Sequence, residues 1–235
     1  MFKSACLTEC LRFVSHSVEN RPFVYPATMF TRVPFMKILL HVGCGSKRQS
    51  QTTRGFATAE WREIRFDIDP AAQPDILGSL TDLSALPAEA VDAVFSSHNI
   101  EHVYPHEVPV ALGEFWRVLK PDGFLVITCP DLQSVCELVA EDKLLTPAYT
   151  SPAGPIAPID MLYGHRASIS AGQTAMAHRG GFTRTTLVGA LRASGFGGVI
   201  SHRRGHPHYD LFALATKTDR SEADLRRLAA AHFPR

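Results

Sequence analysis

The stretch HNIEH, residues 98–102, places two imidazoles and a carboxylate close together. Its H-x-x-E-H spacing is used by helix-borne zinc peptidases, in which the histidines bind the metal and the glutamate is the general base. That chemistry needs His98 and His102 on one face of a continuous helix. An apolar, strand-like run precedes the motif and Pro105 follows it, so the sequence favours the end of a strand. We therefore predict no metal site and expect Glu101 and His102 to cap and pack the next connection.

The elements around this motif alternate between strands and helices. Strand-like apolar runs occupy residues 37–42, 61–69, 74–80, 91–97 and 124–129, and helical patterns occupy 107–120, 131–142 and 184–196. This order predicts an α/β fold with a mainly parallel sheet. The runs 198–204 and 209–217 flank a short turn and predict an antiparallel terminal hairpin. Asp131 is expected to cap the helix over 131–142, and Ser221 is expected to cap a last helix over 221–233.

Two segments fall outside this rhythm. Residues 1–35 have no sustained period, and Met36 stands directly before the first strand, so we predict an N-terminal extension, either disordered or a mis-assigned start, before a domain over 36–235. Residues 145–182 are rich in proline and glycine. Long insertions of this kind are often lids or substrate walls, and we predict that role here.

Composition limits the class of protein. The chain of 235 residues is 45% hydrophobic, which allows one large domain, and its net charge of +1 does not favour a nucleic-acid partner. No apolar run is long enough to span a membrane. The five cysteines are scattered without a C-x-x-C pair, which indicates a reducing compartment and so a cytoplasmic protein.

Glycines and acids at predicted strand ends indicate a nucleotide-like ligand. Gly43 and Gly45 follow the first strand, where they let a ligand approach the backbone. Asp67 ends the second strand, where a carboxylate can accept hydrogen bonds from ribose hydroxyls, and Asp69 is the alternative. The motif is not the full dinucleotide fingerprint, since Arg48 replaces its third glycine. The other interpretation is a tight turn and a capped strand end.

Six motifs in order resemble those of class I S-adenosylmethionine-dependent methyltransferases, in particular the broad group with "E-H" after the fourth strand. They are ILLHVGCG, RFDIDP, DILGSLTDL, VDAVFSSHNIEHV, FWRVLKPDGFLVITCP and LRASGF. The resemblance covers residues 37–217. It implies a Rossmann-like, seven-stranded, mostly parallel sheet with helices on both faces and an antiparallel last strand, and S-adenosylmethionine as cofactor, released as S-adenosylhomocysteine.

The resemblance also implies binding roles for particular residues. Gly43, Cys44 and Gly45 would line the methionine part of the cofactor. Asp67 would hold the ribose and Ile68 would pack on the adenine, with Ser79 and Leu80 replacing the usual acid at the adenine amino group. Ser97 and His98 would face the reacting methyl group. His41, Lys47 and Ser79 depart from the family pattern, and the first helix, over residues 46–60, is expected to be short or distorted.

The acceptor is expected to be a small polar molecule. A hydroxyl acceptor needs a general base, and His98, His165 and His178 are the candidates. The arginines in or beside the insertion, Arg166, Arg179 and Arg184, favour an anionic or polyhydroxylated acceptor. The basic run SHRRGHPH, residues 201–208, is interpreted as a solvated turn.

Rival functions belong to other classes. An NAD-dependent oxidoreductase would share the sheet and Asp67 but lacks the third glycine. A non-catalytic module with a decayed cofactor site is suggested by His41, Lys47 and Ser79. A zinc peptidase is disfavoured by Pro105.

Overall fold

The computed structural model of the protein describes residues 36–234, and the predicted extension over residues 1–35 lies outside that range. Nine strands occur among the described residues: β1 Lys37–Val42, β2 Trp61–Asp67, β3 Ile76–Leu77, β4 Val91–Ser97, β5 Leu119–Pro130, β6 Tyr149–Ser151, β7 Gly154–Ile156, β8 Gly198–Arg204 and β9 Asp210–Thr216. Six α-helices accompany them: α1 Val108–Val118, α2 Leu132–Ala140, α3 Pro158–Tyr163, α4 Arg166–Ser170, α5 Arg184–Ala193 and α6 Glu222–His232.

Seven strands form one sheet in the order β3-β2-β1-β4-β5-β9-β8. The first five are parallel, and β9 pairs antiparallel with both β5 and β8. The order in which strands are added reverses at β1. The chain places β2 and β3 on one side of β1 and then returns to place β4 and β5 on its other side. Open α/β sheets bind ligands at such a point, beyond the carboxyl ends of the strands. The predicted fold is confirmed.

Helices cover both faces of the sheet. Apolar residues of α1 and α5, including Leu112, Phe115 and Leu191, are completely buried in the main core on one face. On the other face Leu225 of α6 packs with Phe56 and Trp61. The alternating in-and-out pattern of β1 serves both cores, with Leu40 in the first and Leu39 in the second.

The connection from β1 to β2 has no α-helix. Residues 46–60 contain only a short 3₁₀ turn, Gln49–Gln51, as the lack of an apolar face predicted. Phe56 takes the place of a helix by inserting between Trp61, Phe124 and His232, with ring centroids 4.2–5.9 Å away. The sheet is therefore covered here by a loop anchored at one aromatic side chain.

The insertion over residues 145–182 is more regular than its sequence indicates. It contains the β6–β7 hairpin, α3, α4 and a 3₁₀ turn, Thr174–Met176. Ile156 and Met161 pack with Val135 of α2 and with Tyr209 in a third apolar cluster. This cluster fixes the insertion beside the carboxyl end of the sheet.

The interpretation of residues 201–208 as a solvated turn is wrong for its first half. Residues 201–204 belong to β8, and both arginines form ion pairs, Arg203 with the buried Asp131 and Arg204 with Asp210. Acidic partners on neighbouring elements, which the local sequence does not reveal, account for the difference. The predicted third strand is shorter, and β5 begins earlier, than their sequence patterns indicate. None of the helices in residues 36–234 is long and apolar enough to cross a membrane.

Candidate active site

A cavity of about 820 Å³ lies at the carboxyl ends of β1, β2 and β4. Eight of the nine residues predicted to bind the cofactor line it: Gly43, Gly45, Asp67, Ile68, Ser79, Leu80, Ser97 and His98. Ile68 is 59% exposed although it is a large apolar residue, so it offers the cavity a flat apolar surface. The volume and mixed lining suit a ligand of nucleotide size.

Cys44 is the exception. It is 1% exposed and is not among the residues that line the cavity. Burial raises the pKa of its thiol to about 11, so the group is a neutral, apolar part of the core. The Cys44 side chain therefore points into the core, while Gly43 and Gly45 line the cavity. A role of Cys44 in binding the cofactor stays a prediction.

The glycine loop is fixed from two sides. Gly43 has a φ of +62°, and a Cβ there would lie 2.0 Å from the Asn99 side chain. Asn99 is itself held, since its amide donates to the carbonyls of Val42 and Ser97 at 3.0 and 3.1 Å. Asp67 accepts the backbone N–H of Gly45 at 2.7 Å. The carboxylate expected to bind ribose thus also shapes the loop.

Asp67 retains capacity for a ligand. Its second oxygen accepts the N–H of Asp69 at 2.9 Å, which uses two of about four acceptor positions on the carboxylate. The alternative, Asp69, instead caps the next turn through Ala71. Ser79 bonds locally to the Thr81 hydroxyl at 2.8 Å, and Ser97 bonds to the Thr128 hydroxyl at 2.9 Å.

Arg65 is a site residue that sequence reasoning missed. It is 3% exposed, and its guanidinium donates to the carbonyls of Gly45 and Lys47 on one loop and of Ala72 and Gln73 on the next. It therefore ties together the two loops that form one wall of the cavity. An arginine in a strand, two residues before an acid, gives no local sign of these partners.

His41 does not affect the cavity. Its Nδ1 lies 2.7 Å from Glu63 Oε1, and its ring packs on Phe95, so the side chain belongs to the sheet interior. Burial would raise the pKa of the Glu63 carboxyl, but its hydrogen bond with His41, aided by the nearby Arg65, holds that pKa below its usual value. Of the three departures from the family pattern, Ser79 alone lines the larger cavity.

A smaller cavity of about 280 Å³ adjoins the first. His98, His102 and Met176 line both, so they form the boundary between them. All three predicted catalytic histidines, His98, His165 and His178, line this smaller cavity. Glu101, Asp160, Tyr149, Tyr209 and His208 are also in its lining, and none of them was predicted to be there. The cavity combines these titratable side chains with apolar surface, and it is bounded by the insertion on one side and the sheet on the other.

His98 occupies the boundary in an unusual conformation. Its φ is +56°, its side chain is 46% exposed, and its Nδ1 lies 3.5 Å from Glu101 Oε1. The exposed part of the ring faces the cavities. Burial alone would lower the pKa of His98, but the Glu101 carboxylate outweighs it and raises that pKa above its ordinary value.

The motif does not have the geometry of a zinc peptidase. His98 precedes a 3₁₀ turn that covers Ile100–His102, and no α-helix carries both histidines. The expectation that Glu101 and His102 only cap and pack is also wrong. Glu101 is 1% exposed, and neither carboxylate oxygen has a hydrogen-bond partner among the described residues. His102 and His178 lie beside it with ring centroids 4.8 Å apart.

The other predicted side chains have separate roles. His165 bonds to the Ser168 hydroxyl at 2.8 Å. Arg166 forms an ion pair with Asp160 at 2.7 Å, and Arg184 lines neither cavity, so neither supports the expected anionic acceptor. Arg179 does line the larger cavity, with its guanidinium 4.8 Å from the Tyr104 ring centroid.

Comparison with solved structures shows what class of fold this is. The 1,6-didemethyltoxoflavin N1-methyltransferase of Burkholderia thailandensis, solved with 1,6-didemethyltoxoflavin and S-adenosylhomocysteine, is 20% identical with a TM-score of 0.51, over 78% of this chain and 72% of that chain. A Methanosarcina mazei S-adenosylmethionine-dependent methyltransferase is 14% identical with a TM-score of 0.51, over 83% and 99%. A Pyrococcus horikoshii protein is 14% identical with a TM-score of 0.52, over 80% and 85%. The shared feature is the methyltransferase fold.

Part of the sequence also matches a known protein family. Residues 40–127 match the family described as "Methyltransferase domain". The match covers less than half of the chain, and the fold is that of class I S-adenosylmethionine-dependent methyltransferases. The resemblance seen in the sequence is confirmed, and so is S-adenosylmethionine as the cofactor of this class. No curated protein matches the chain.

Proposed function

We propose that the protein transfers a methyl group from S-adenosylmethionine to a small polar acceptor with a hydroxyl or anionic group. The observation that carries this proposal is the pair of adjoining cavities, one large enough for a nucleoside cofactor and one small and lined by several titratable side chains, with His98 between them. The smaller cavity is below the usual size range for drug-like ligands, which favours a small acceptor.

The larger cavity provides the contacts that the cofactor needs. Gly43 and Gly45 allow close approach of its methionine part, and Asp67 accepts from the ribose hydroxyls with its two remaining acceptor positions. Ile68 and Leu80 provide apolar surface for the adenine. Held by these residues, S-adenosylmethionine would supply an electrophilic methyl group for the transfer.

His98 is proposed as the general base for a hydroxyl acceptor. It takes the acceptor proton while the acceptor oxygen forms a bond to the methyl carbon and the carbon–sulfur bond breaks, with its electron pair going to sulfur. The positive charge of the sulfonium thereby ends on the imidazolium. The chain's main contribution is to align the acceptor oxygen opposite the leaving sulfur. His165 and His178 line the acceptor cavity and orient the acceptor.

The first test is calorimetric titration of S-adenosylhomocysteine into the full-length protein, its Asp67→Asn variant and an Asp142→Asn control. Asp142 is exposed and lines neither cavity. We expect binding by the native protein and the control, and at least about tenfold weaker binding by Asp67→Asn, because a charged hydrogen bond to ribose is lost. Absence of binding by folded native protein would favour the decayed, non-catalytic alternative.

The second test identifies the acceptor class. Methyl-labelled S-adenosylmethionine is incubated with pools of small alcohols, phenols, carboxylic acids and amines, and label transfer is measured. His98→Ala should lower kcat about 100-fold or more on a hydroxyl acceptor, whereas the exposed His106→Ala control should not. Undiminished transfer by His98→Ala would refute its role as a base and would favour an acceptor that gives up no proton in the reaction.

A further inference from the structure

We propose that Glu101, His102 and His178 bind a divalent metal ion, most suitably Zn²⁺, in the wall of the smaller cavity. One ligand atom from each residue lies within 4.8 Å of the other two. Two imidazoles and one carboxylate form a ligand set found in catalytic zinc sites, where a fourth position stays open to substrate. All three residues line the smaller cavity, so that open position would face the acceptor.

The first argument concerns the carboxylate. Glu101 is 1% exposed, and neither of its oxygens has a hydrogen-bond partner among residues 36–234. The nearest cation that the side chains offer is His98, at 3.5 Å, which is too long for a normal hydrogen bond. Buried charges in proteins are paired or coordinate metals. The long ion pair with His98 compensates this charge only in part, and a metal ion would supply the close contact that the carboxylate lacks.

The second argument concerns the imidazoles. His102 Nδ1 lies 3.1 Å from the Ala177 carbonyl, and His178 Nδ1 lies 2.8 Å from the Met161 carbonyl. Since a carbonyl oxygen only accepts, each Nδ1 must carry the hydrogen, and each neutral ring then presents a lone pair at Nε2. Metal-binding histidines are oriented by this same type of hydrogen bond to a carbonyl. Both rings are therefore oriented for metal binding.

The third argument concerns the elements that carry the ligands. Glu101 and His102 follow β4, whereas His178 lies in the insertion. The backbone already joins these segments, because Arg179 and Gly180 donate their N–H groups to the Glu101 carbonyl at 2.8 and 3.1 Å. Coordination at about 2.0–2.2 Å per ligand would draw the side chains in by about 1 Å. The ion would thus tie the insertion to the sheet beside the acceptor.

The site differs from the peptidase arrangement that the HNIEH spacing suggests. Here Glu101 is a ligand rather than a base, and His98 is not a ligand. The ion's role rests on the proposed function: it would hold the acceptor oxygen and favour its deprotonated form, with His98 taking the proton. Metal binding itself is independent of that function and is measured without cofactor or acceptor.

Zinc affinity of the purified full-length protein provides the test. It is measured by competition with a chelator, together with elemental analysis and the visible spectrum of the cobalt(II)-loaded protein. Glu101→Gln and His178→Asn remove ligands, while His165→Asn changes a histidine of the same cavity that is not a ligand. We expect about one zinc per chain in the native protein and in His165→Asn. In the two ligand variants, the affinity for zinc should be lower by a factor of about 100 or more.

Thermal unfolding keeps the test independent of folding defects. Zinc should raise the Tm of the native protein but not of Glu101→Gln. Without zinc, Glu101→Gln should be at least as stable as the native protein, since it removes a buried charge that only one long ion pair compensates. Equal zinc affinity in native protein and Glu101→Gln, or no zinc binding by native protein, would overturn the proposal. Titration with S-adenosylhomocysteine reports separately on the proposed function.

Discussion

Gly43 and Gly45 both have positive φ, yet their surroundings differ. A Cβ on Gly43 would meet Asn99, whereas one on Gly45 would meet nothing within 4 Å. We expect Gly45→Ala to cost about 1–2 kcal/mol through backbone strain alone. Gly43→Ala should cost about 3–5 kcal/mol, because Asn99 must also give up its hydrogen bonds. Urea unfolding of both variants measures the difference, and equal losses would show that Asn99 moves freely.

Arg65 should matter to both stability and cofactor affinity. Its replacement by methionine leaves four loop carbonyls without their donor, and we expect a loss of about 2–4 kcal/mol. The loops that it joins line the larger cavity, so affinity for S-adenosylhomocysteine should fall too. Arg192→Met, on the exposed side of α5, is the control. Unfolding and titration together check the prediction, and unchanged affinity in a destabilised variant would limit Arg65 to a stabilising role.

The residues that sequence predicted best are those whose role is set by neighbours along the chain. Gly43, Gly45, Asp67 and Ile68 follow strand ends, and a strand end in a parallel sheet fixes the direction of the next few residues. Glu101 could not be interpreted in this way. Its carboxylate is buried without a hydrogen bond to any described residue because residues of the insertion, distant in sequence, cover it. The local pattern indicates only a cap.

The start of α2 shows how a helix end is secured by another element. Asp131 is its N-cap and accepts from Gln133 at 3.2 Å, as the sequence predicted. It also pairs with Arg203 of β8, while being fully buried. Sequence alone indicated the cap but not the partner, because the two residues are joined only when the last hairpin is added to the sheet.

Comparison of two ion pairs tests whether Arg203 stabilises the buried Asp131. Arg203→Met leaves a buried carboxylate without its cation, and we expect a loss of about 2–3 kcal/mol, somewhat less than for a fully buried pair because Arg203 is 34% exposed. Arg226→Met removes only the exposed pair with Glu222 within α6 and should change stability by less than about 0.5 kcal/mol. The free energies of unfolding of the two variants are compared through their denaturant midpoints. Similar midpoints would mean that Asp131 finds other donors.

The insertion is the element that sequence described least well. Its prolines and glycines indicated an irregular segment, whereas short elements form because Ile156 and Met161 find apolar partners on α2 and at Tyr209. Those contacts depend on tertiary structure and leave no period in so short a run. That the insertion acts as a lid or substrate wall stays a prediction, supported by its residues in both cavities.

Acid should destabilise the whole molecule through His232. Burial, together with the charge of Arg54, lowers the pKa of this residue from 6.5 to about 4, and its Nδ1 lies 2.7 Å from the Thr53 hydroxyl. Between these two pKa values, His232 is protonated in the unfolded chain but stays neutral in the folded protein. The associated stability is complete above pH 6.5 and is lost as the pH falls toward 4, by up to about 3 kcal/mol.

The His232→Gln variant checks this prediction. Its free energy of unfolding, measured by urea titration between pH 7.5 and pH 4, should depend less on pH than that of the native protein. An exposed histidine, His106, provides the matched control as His106→Gln. Identical pH dependence in native protein and His232→Gln would show that other groups determine its sensitivity to acid.

The position of β9 has a consequence for synthesis of the protein. This strand fills the gap between β5 and β8, although it follows both of them in the chain and leaves the ribosome after them. Until it arrives, β5 has a free edge of apolar residues such as Val126 and Ile127, which invites pairing with other chains. The sheet therefore closes only after residue 216 has been synthesised, and a nascent chain stalled before residue 210 would be a substrate for chaperones.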